Sequence, residues 1–302
     1  MMTVIGAVFV DVKGFANGAY QATGTNIGAV KIVHGGVSRN VCEDFAAQGM
    51  PVRLVSMTDD SALGRDVRAR MEGLGVDLTH LLSYEDGMGM WLAILDEHGE
   101  LVGSVSKQPN FLPLEKYLDE HGEQIVSEAD QIVLELDMNE HIANHILTLA
   151  EQRGRPVYVI VGNMSVIAKH PEYLSRIRCF ICNEIEAGKL IGRDLTQLTT
   201  FDMQDVLLHT ARRFHIRSMV ITMGDEGAVY YDSTTGEAGH CPPIPTAMVD
   251  STGAGDAFFA ATVMALSRGL PLWKAVRAGT RLASATLACE ESCCGRLEWL
   301  FD

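Results

Sequence analysis

Apolar and polar positions alternate along this chain with two distinct periods. Continuous apolar runs of strand length occur at Val4–Val10, Val52–Met57, Ile132–Leu136, Val157–Val161, Cys179–Cys182 and Met219–Thr222. Such runs predict strands buried on both faces. Between them, Arg39–Gln48, Leu63–Leu74, Asn139–Arg153 and Met203–Phe214 carry apolar residues at helical spacing. From about residue 110 onward the rhythm is strand, helix, strand, helix. That order predicts right-handed βαβ units and a mostly parallel sheet, hence an α/β protein. Asp11 follows the first run, and in open parallel sheets ligands gather at the carboxyl ends of strands.

Two stretches break the rhythm. Residues 12–34 are rich in Gly, Asn and Thr, with a short alternating segment at Val30–His34. Gly89–Leu95 and Leu101–Ser106 flank the turn Asp96-Glu97-His98-Gly99, a hairpin pattern. Together they predict a small second sheet, a β lid formed by about 12–34 and 87–108 on one domain spanning 1–302. No linker or repeat interrupts the chain.

Composition narrows the classes. The 302 residues are 47% hydrophobic and 21% charged, with a formal net charge of −15. The acidic balance argues against nucleic acid or an anionic membrane as partner, but not against an anionic ligand held by backbone amides. No apolar run approaches the roughly 20 residues needed to span a bilayer. Met1–Val10 lacks a basic leader and reads as a strand rather than a signal peptide. The seven cysteines have no second C-x-x-C to complete a tetrahedral zinc set. Free buried thiols predict a reducing, cytoplasmic location.

The chemistry concentrates in Asp250-Ser251-Thr252-Gly253-Ala254-Gly255-Asp256, directly before an apolar helical run. Small residues let backbone approach a ligand closely. The first amides of the helix point outward without internal partners and form an anion site. Asp256 there reads equally well as a helix cap or as a general base beside a transferred phosphoryl group. Neither G-x-x-x-x-G-K-[ST] nor G-x-G-x-x-G is present, so P-loop and dinucleotide folds are unsupported.

Asp250–Asp256 resembles the D-x-x-G-A-G-D element of ribokinase-like (PfkB) sugar and nucleoside kinases. Gly35-Gly36 followed by Asn40 resembles the family's G-G-x-x-x-N, Asn183–Glu186 its N-x-x-E, and Ile221–Gly224 through Gly227 its nucleotide loop. The resemblance covers nearly the whole chain. It implies a three-layer α/β/α ribokinase-like fold with a small β-sheet lid, ATP as donor, Mg²⁺, and compatibility with a monovalent cation such as K⁺. By the same resemblance Asp256 is the base and Gly253, Ala254 and Gly255 form the anion hole. Asn183, Glu186, Thr222, Gly224, Gly227 and Thr252 lie at the nucleotide, with Glu186 meeting Mg²⁺ through water. Asp11, Asn26, Gly35, Gly36 and Asn40 hold the acceptor.

Within the family, Asp11–Gly14, Thr25–Gly28 and Gly35–Asn40 resemble pseudouridine kinases, which implies the 5′-hydroxyl of pseudouridine as acceptor. The resemblance departs at Gly162–Ser165, where those kinases carry an acidic residue, and at Cys289–Cys294. Another nucleoside or a free sugar is the alternative acceptor, and a silent nucleotide or sugar sensor the alternative of another class. Pairing of lids implies a homodimer.

Overall fold

The structure, a computed structural model, describes residues 1–302. Two strands open the chain, β1 (Met2–Ile5) and β2 (Phe9–Ala16), followed by β3 (Gly28–Gly35). Helix α1 (Val37–Ala47) leads to β4 (Val52–Thr58), α2 (Ala62–Gly73), β5 (Asp77–Ser83), β6 (Gly89–Leu95) and β7 (Leu101–Lys107). Helix α3 (Leu112–Glu128) and β8 (Gln131–Glu135) start a series through α4 (Glu140–Arg153), β9 (Val157–Ile160) and the short α5 (Ser165–Lys169). It continues with β10 (Cys179–Asn183), α6 (Glu184–Ile191), α7 (Thr200–Arg213) and β11 (Ser218–Thr222). The hairpin β12 (Ala228–Asp232) and β13 (Glu237–Cys241) precedes the paired helices α8 (Ala254–Ser267) and α9 (Leu272–Leu287).

Nine strands form the main sheet in the order β13-β12-β11-β10-β9-β8-β1-β4-β5. It is parallel except for β12 and β13, which extend one edge antiparallel. Successive strand residues point to opposite faces, so Val4 and Val133 enter one apolar cluster while Ile5 and Leu134 enter another. The first cluster includes Phe45 of α1, Met71 of α2, Phe258 of α8 and Leu282 of α9. The second includes Leu118 of α3, Ile146 of α4 and Leu207 of α7. Two cores on the two faces of one sheet make three layers, as expected. No helix is long and apolar enough to cross a membrane.

The second sheet has the order β3-β2-β6-β7, with β2 and β6 parallel and the outer pairs antiparallel. One expectation fails here. Val4–Val10 is not a single strand: β1 ends at Ile5 in the main sheet, and β2 starts at Phe9 in the small one. The cause is local. A side chain on Gly6 would meet Ser38 Oγ at 1.9 Å, and the Ala7 amide donates to Glu135 Oε2 at 2.9 Å instead of to a strand. Asp11 therefore projects from the small sheet. Strand β5 and the antiparallel hairpin β12–β13 were also not anticipated. All seven cysteines are free thiols, and Cys179 and Cys182 are buried in β10.

Candidate active site

Helix α8 begins without a side-chain cap. Its N-cap, Gly253, has φ 82° and ψ −9°. Only glycine adopts this left-handed conformation without strain, and a Cβ here would also meet the Ser292 carbonyl oxygen at 2.0 Å. The loop before it is held by Asp250 Oδ1, which accepts the Thr252 amide at 2.8 Å. Burial raises the Asp250 carboxyl, but the Thr252 hydrogen bonds and the charges of Lys13 and Lys31 outweigh it and hold the group below its usual range. The Gly255 amide has no internal partner at the positive end of the helix dipole, while the Ala254 amide makes only a long bond to the Ser251 carbonyl at 3.4 Å.

Asp256, in the first turn of α8, is not the cap of its own helix. It is half-buried and accepts a hydrogen bond from Asn40 Nδ2 at 2.6 Å. Burial pushes its carboxyl up to about 6, against the Asn40 hydrogen bond and the Arg39 charge, with Glu186 and Asp11 adding to the rise. The orientation of Asn40 is fixed by Arg39, which is 2% exposed. The Arg39 guanidinium donates to Asn40 Oδ1, Glu43, the carbonyls of His34 (2.7 Å) and Gly35 (3.3 Å), and Ser292 Oγ (3.3 Å). With Oδ1 so occupied, the amide can only present Nδ2 to Asp256. Asn40 and Arg39 face the cleft because α1 starts immediately after the Gly35-Gly36 turn.

Asp11 lies against that same turn. A Cβ on Gly35 would come within 2.5 Å of its carboxylate. Burial raises the Asp11 carboxyl, with Lys13 and Arg39 pulling it down. Glu135, at the end of β8, closes the floor. It accepts from Ala7 N and from Ser38 Oγ (2.8 Å), and burial pushes its carboxyl up to about 7 against those bonds.

On the far side, Asn183 and Thr222 are register partners at the ends of β10 and β11. Asn183 and Glu186 form a capping box on α6: the Glu186 amide donates to Asn183 Oδ1 at 2.8 Å, and the Asn183 amide donates to Glu186 Oε2 at 2.9 Å. Burial raises the Glu186 carboxyl. Gly224 is exposed in a single turn, and the buried Gly227 immediately precedes β12. No group of three or more His, Cys, Asp or Glu side chains could hold a metal ion.

This arrangement joins an open helix N-terminus to a carboxylate of raised pKa, which is the pairing that phosphoryl transfer to a hydroxyl requires. The sequence profile of the pfkB family carbohydrate kinases matches residues 1–297. The chain belongs to the pfkB family. As a pfkB kinase it is a phosphotransferase acting on a sugar or nucleoside hydroxyl. It is 32% identical over 292 residues to a guanosine-inosine kinase of Exiguobacterium acetylicum, covering 96% of this chain and 95% of that one. It is 29% identical over 296 residues to the pseudouridine kinase of Escherichia coli, covering 96% and 91%. Its fold matches the structure of Arabidopsis thaliana ribokinase complexed with ribose and ATP, with TM-score 0.81 and 19% identity over 96% and 93% of the two chains.

In this pfkB chain, Asp11, Gly35, Gly36, Asn40, Thr252, Gly253, Ala254, Gly255 and Asp256 gather at one corner of the cleft, and Asn183, Glu186, Thr222, Gly224 and Gly227 at another. Asn26 joins neither. Its side chain bonds the amide and carbonyl of Gln21, both at 2.9 Å, and so closes a loop at the tip of the small sheet. Sequence reasoning missed Arg39, Glu135, Lys13 and Asp137. Asp137 accepts the amides of Gly162, Asn163 and Met164 at 2.7–3.2 Å. Asp137, just after β8, thus holds the Gly162–Ser165 loop in place. An acidic residue ending an apolar run was the available signal for Glu135 and Asp137.

Proposed function

We propose that this kinase transfers the γ-phosphate of ATP to the 5′-hydroxyl of a nucleoside, with Asp256 as general base. The carrying observation is the Asn40–Asp256 hydrogen bond at the uncapped start of α8. A carboxylate with pKa about 6 is ionised at neutral pH, yet basic enough to take a proton late in transfer. The acceptor oxygen bonds to the γ-phosphorus, the bond to the leaving diphosphate oxygen breaks, and the hydroxyl proton passes to Asp256. The amides of Gly253–Gly255 donate to the phosphoryl oxygens. Asp11, Asn40 and the Gly35-Gly36 turn hold the ribose hydroxyls, and Asn183, Thr222, Gly224 and Gly227 border the nucleotide.

The donor set fits Mg²⁺ as such ions usually bind, through substrate phosphates, water and one or two carboxylates. Glu186 is the carboxylate that would meet it, since only its Oε2 is occupied by the cap. When bound, the ion would neutralise charge on the phosphates.

Two acceptors are supported. Guanosine and inosine follow from the 32% identical relative. Pseudouridine follows from Asp11–Gly14, Thr25–Gly28 and Gly35–Asn40 and from the 29% identical relative. Both offer the same ribose end. ATP-dependent phosphorylation of guanosine, inosine, pseudouridine, uridine and ribose at equal concentration tests the reading. A nucleoside should exceed ribose in kcat/KM by at least ~10²-fold, because its base adds contacts that ribose cannot make. Ribose ahead of every nucleoside would remove the nucleoside assignment, and ATP binding without turnover would favour a sensor.

The small sheet closing over the acceptor would exclude water. Its outer face carries Val12, Ile32, Leu92 and Val105 in register, the last three 55%, 41% and 67% exposed. A second copy of this chain is the proposed cover for that apolar ridge. Light scattering should give a dimer, and Ile32→Asp a monomer. A monomeric mass for the unaltered chain at micromolar concentration would refute this.

A further inference from the structure

Phosphoryl transfer at this corner must proceed among carboxylates. Asp11, Glu135, Glu186 and Asp256 all bear on it, and each has its pKa raised. A bound phosphate adds more negative charge, so a cation fixed by the protein has a clear place here. The nearby basic side chains differ in what they have left to give. The Arg39 guanidinium is saturated by Glu43, Asn40, Ser292 and two carbonyls. Arg70 is held by Glu43 and Glu291. Lys31 is exposed and lies over the Phe15 ring.

Lys13 is different. It sits on β2 two residues from Asp11, hence on the same face of the small sheet. Its ammonium crosses the cleft and donates one hydrogen bond, at 2.9 Å, to Oγ1 of Thr252, the residue before the α8 N-cap. An ammonium carries three donors, so two remain. Lys13 forms no salt bridge, and directly opposite it on β3 stands Lys31. Like charges directly opposite across strands are destabilising, and Asp250 is the anion that faces both.

We propose that Lys13 is a catalytic residue of this kinase, its ammonium contacting the phosphoryl group in transfer from the small-sheet side, opposite the α8 amides. This rests on the reading of the α8 N-terminus as the phosphate site. The acceptor's proton goes to Asp256, and Lys13 stabilises the oxygens of the moving group through charge-assisted hydrogen bonds.

The test compares Lys13→Met, Lys13→Arg and Thr252→Val in the full chain. Binding of inorganic phosphate, followed by calorimetry without ATP or acceptor, reads the contact independently of any assignment of the acceptor. Lys13→Met should weaken phosphate binding by about tenfold and lower kcat by ~10²-fold, with acceptor KM changed little. Lys13→Arg should restore phosphate affinity to within about fivefold, since Arg also serves phosphate. Unchanged phosphate affinity in Lys13→Met would overturn the proposal. So would a Thr252→Val variant that reproduces the whole loss, because the bond between sheet and loop, not the charge, would then be responsible.

Discussion

Two helices open toward the same cleft, and their first turns are built in opposite ways. Helix α6 begins at Asn183 with a complete capping box, in which Asn183 Oδ1 accepts the Glu186 amide and Glu186 Oε2 accepts the Asn183 amide. Helix α8 begins at Gly253 with a left-handed residue and no side-chain cap. Its acidic first-turn residue, Asp256, turns away to Asn40 of α1. A side-chain cap occupies amides that an uncapped start leaves for a ligand. Under the proposed function this contrast gives anion binding to α8 and leaves α6 to fix the carboxylate of Glu186 beside the site. As strings of residues, both motifs matched the family pattern. The hydrogen bonds separate them.

The largest effect should come from Asp256. Asp256→Asn preserves the acceptor for Asn40 Nδ2 but removes the base, and kcat should fall by at least ~10²-fold with ATP binding little changed. In the unaltered enzyme kcat should fall as pH drops through about 6, where Asp256 takes up its proton. The stability effect has the opposite sign. A carboxyl whose folded pKa is raised binds more protons folded than unfolded, so its contribution to stability falls as pH rises from about 4 to about 6. Asp256→Asn should therefore raise Tm at pH 7, by an equivalent of no more than about 3 kcal/mol. Near-normal turnover, or a lowered Tm, would contradict this account of α8.

Gly253→Ala should act next most strongly, and through the backbone. The new Cβ would meet the Ser292 carbonyl oxygen at 2.0 Å in a left-handed conformation, which is strained by about 1–3 kcal/mol. Either the loop or the tail after α9 must shift, and the amides of Ala254 and Gly255 shift with the loop. KM for ATP should rise severalfold along with the loss of Tm. A variant with wild-type KM and Tm would show that the open terminus does not depend on this turn.

Much of this was legible in the sequence because it is contiguous. Asp250–Asp256 lies on one turn and the first residues of one helix, so its spacing alone places amides and carboxylate together. The parallel strands were legible as apolar runs, for the same local reason. What stayed hidden depends on residues far apart in the chain. Lys13 meets Thr252, Arg39 meets Ser292, and Glu135 holds Ala7. The Glu135 contact is also what divides Val4–Val10 between two sheets, so a pattern that was read correctly as apolar gave the wrong strand. The local bond of the Asn26 side chain to Gln21 was likewise not visible in the sequence.

The smallest expected effect sharpens the contrast between the two helices. Asn183→Ala removes one half of the α6 capping box, leaving the Glu186 amide without its acceptor, so the first turn loosens although the backbone amide of residue 183 still donates to the Glu186 carboxylate. Loss of such a cap costs about 1 kcal/mol of stability, measurable as a small fall in the denaturant midpoint. If α6 serves mainly to hold Glu186 in place, kcat should drop only a fewfold and the deficit should narrow at high Mg²⁺, because a loosened Glu186 binds less readily but is still present. Asn183→Asp, which can still accept from the Glu186 amide, should recover the midpoint. A loss in kcat as deep as that of Asp256→Asn, with the midpoint unchanged, would mean that Asn183 touches the phosphates directly and that the two helix starts are less different than their hydrogen bonds indicate.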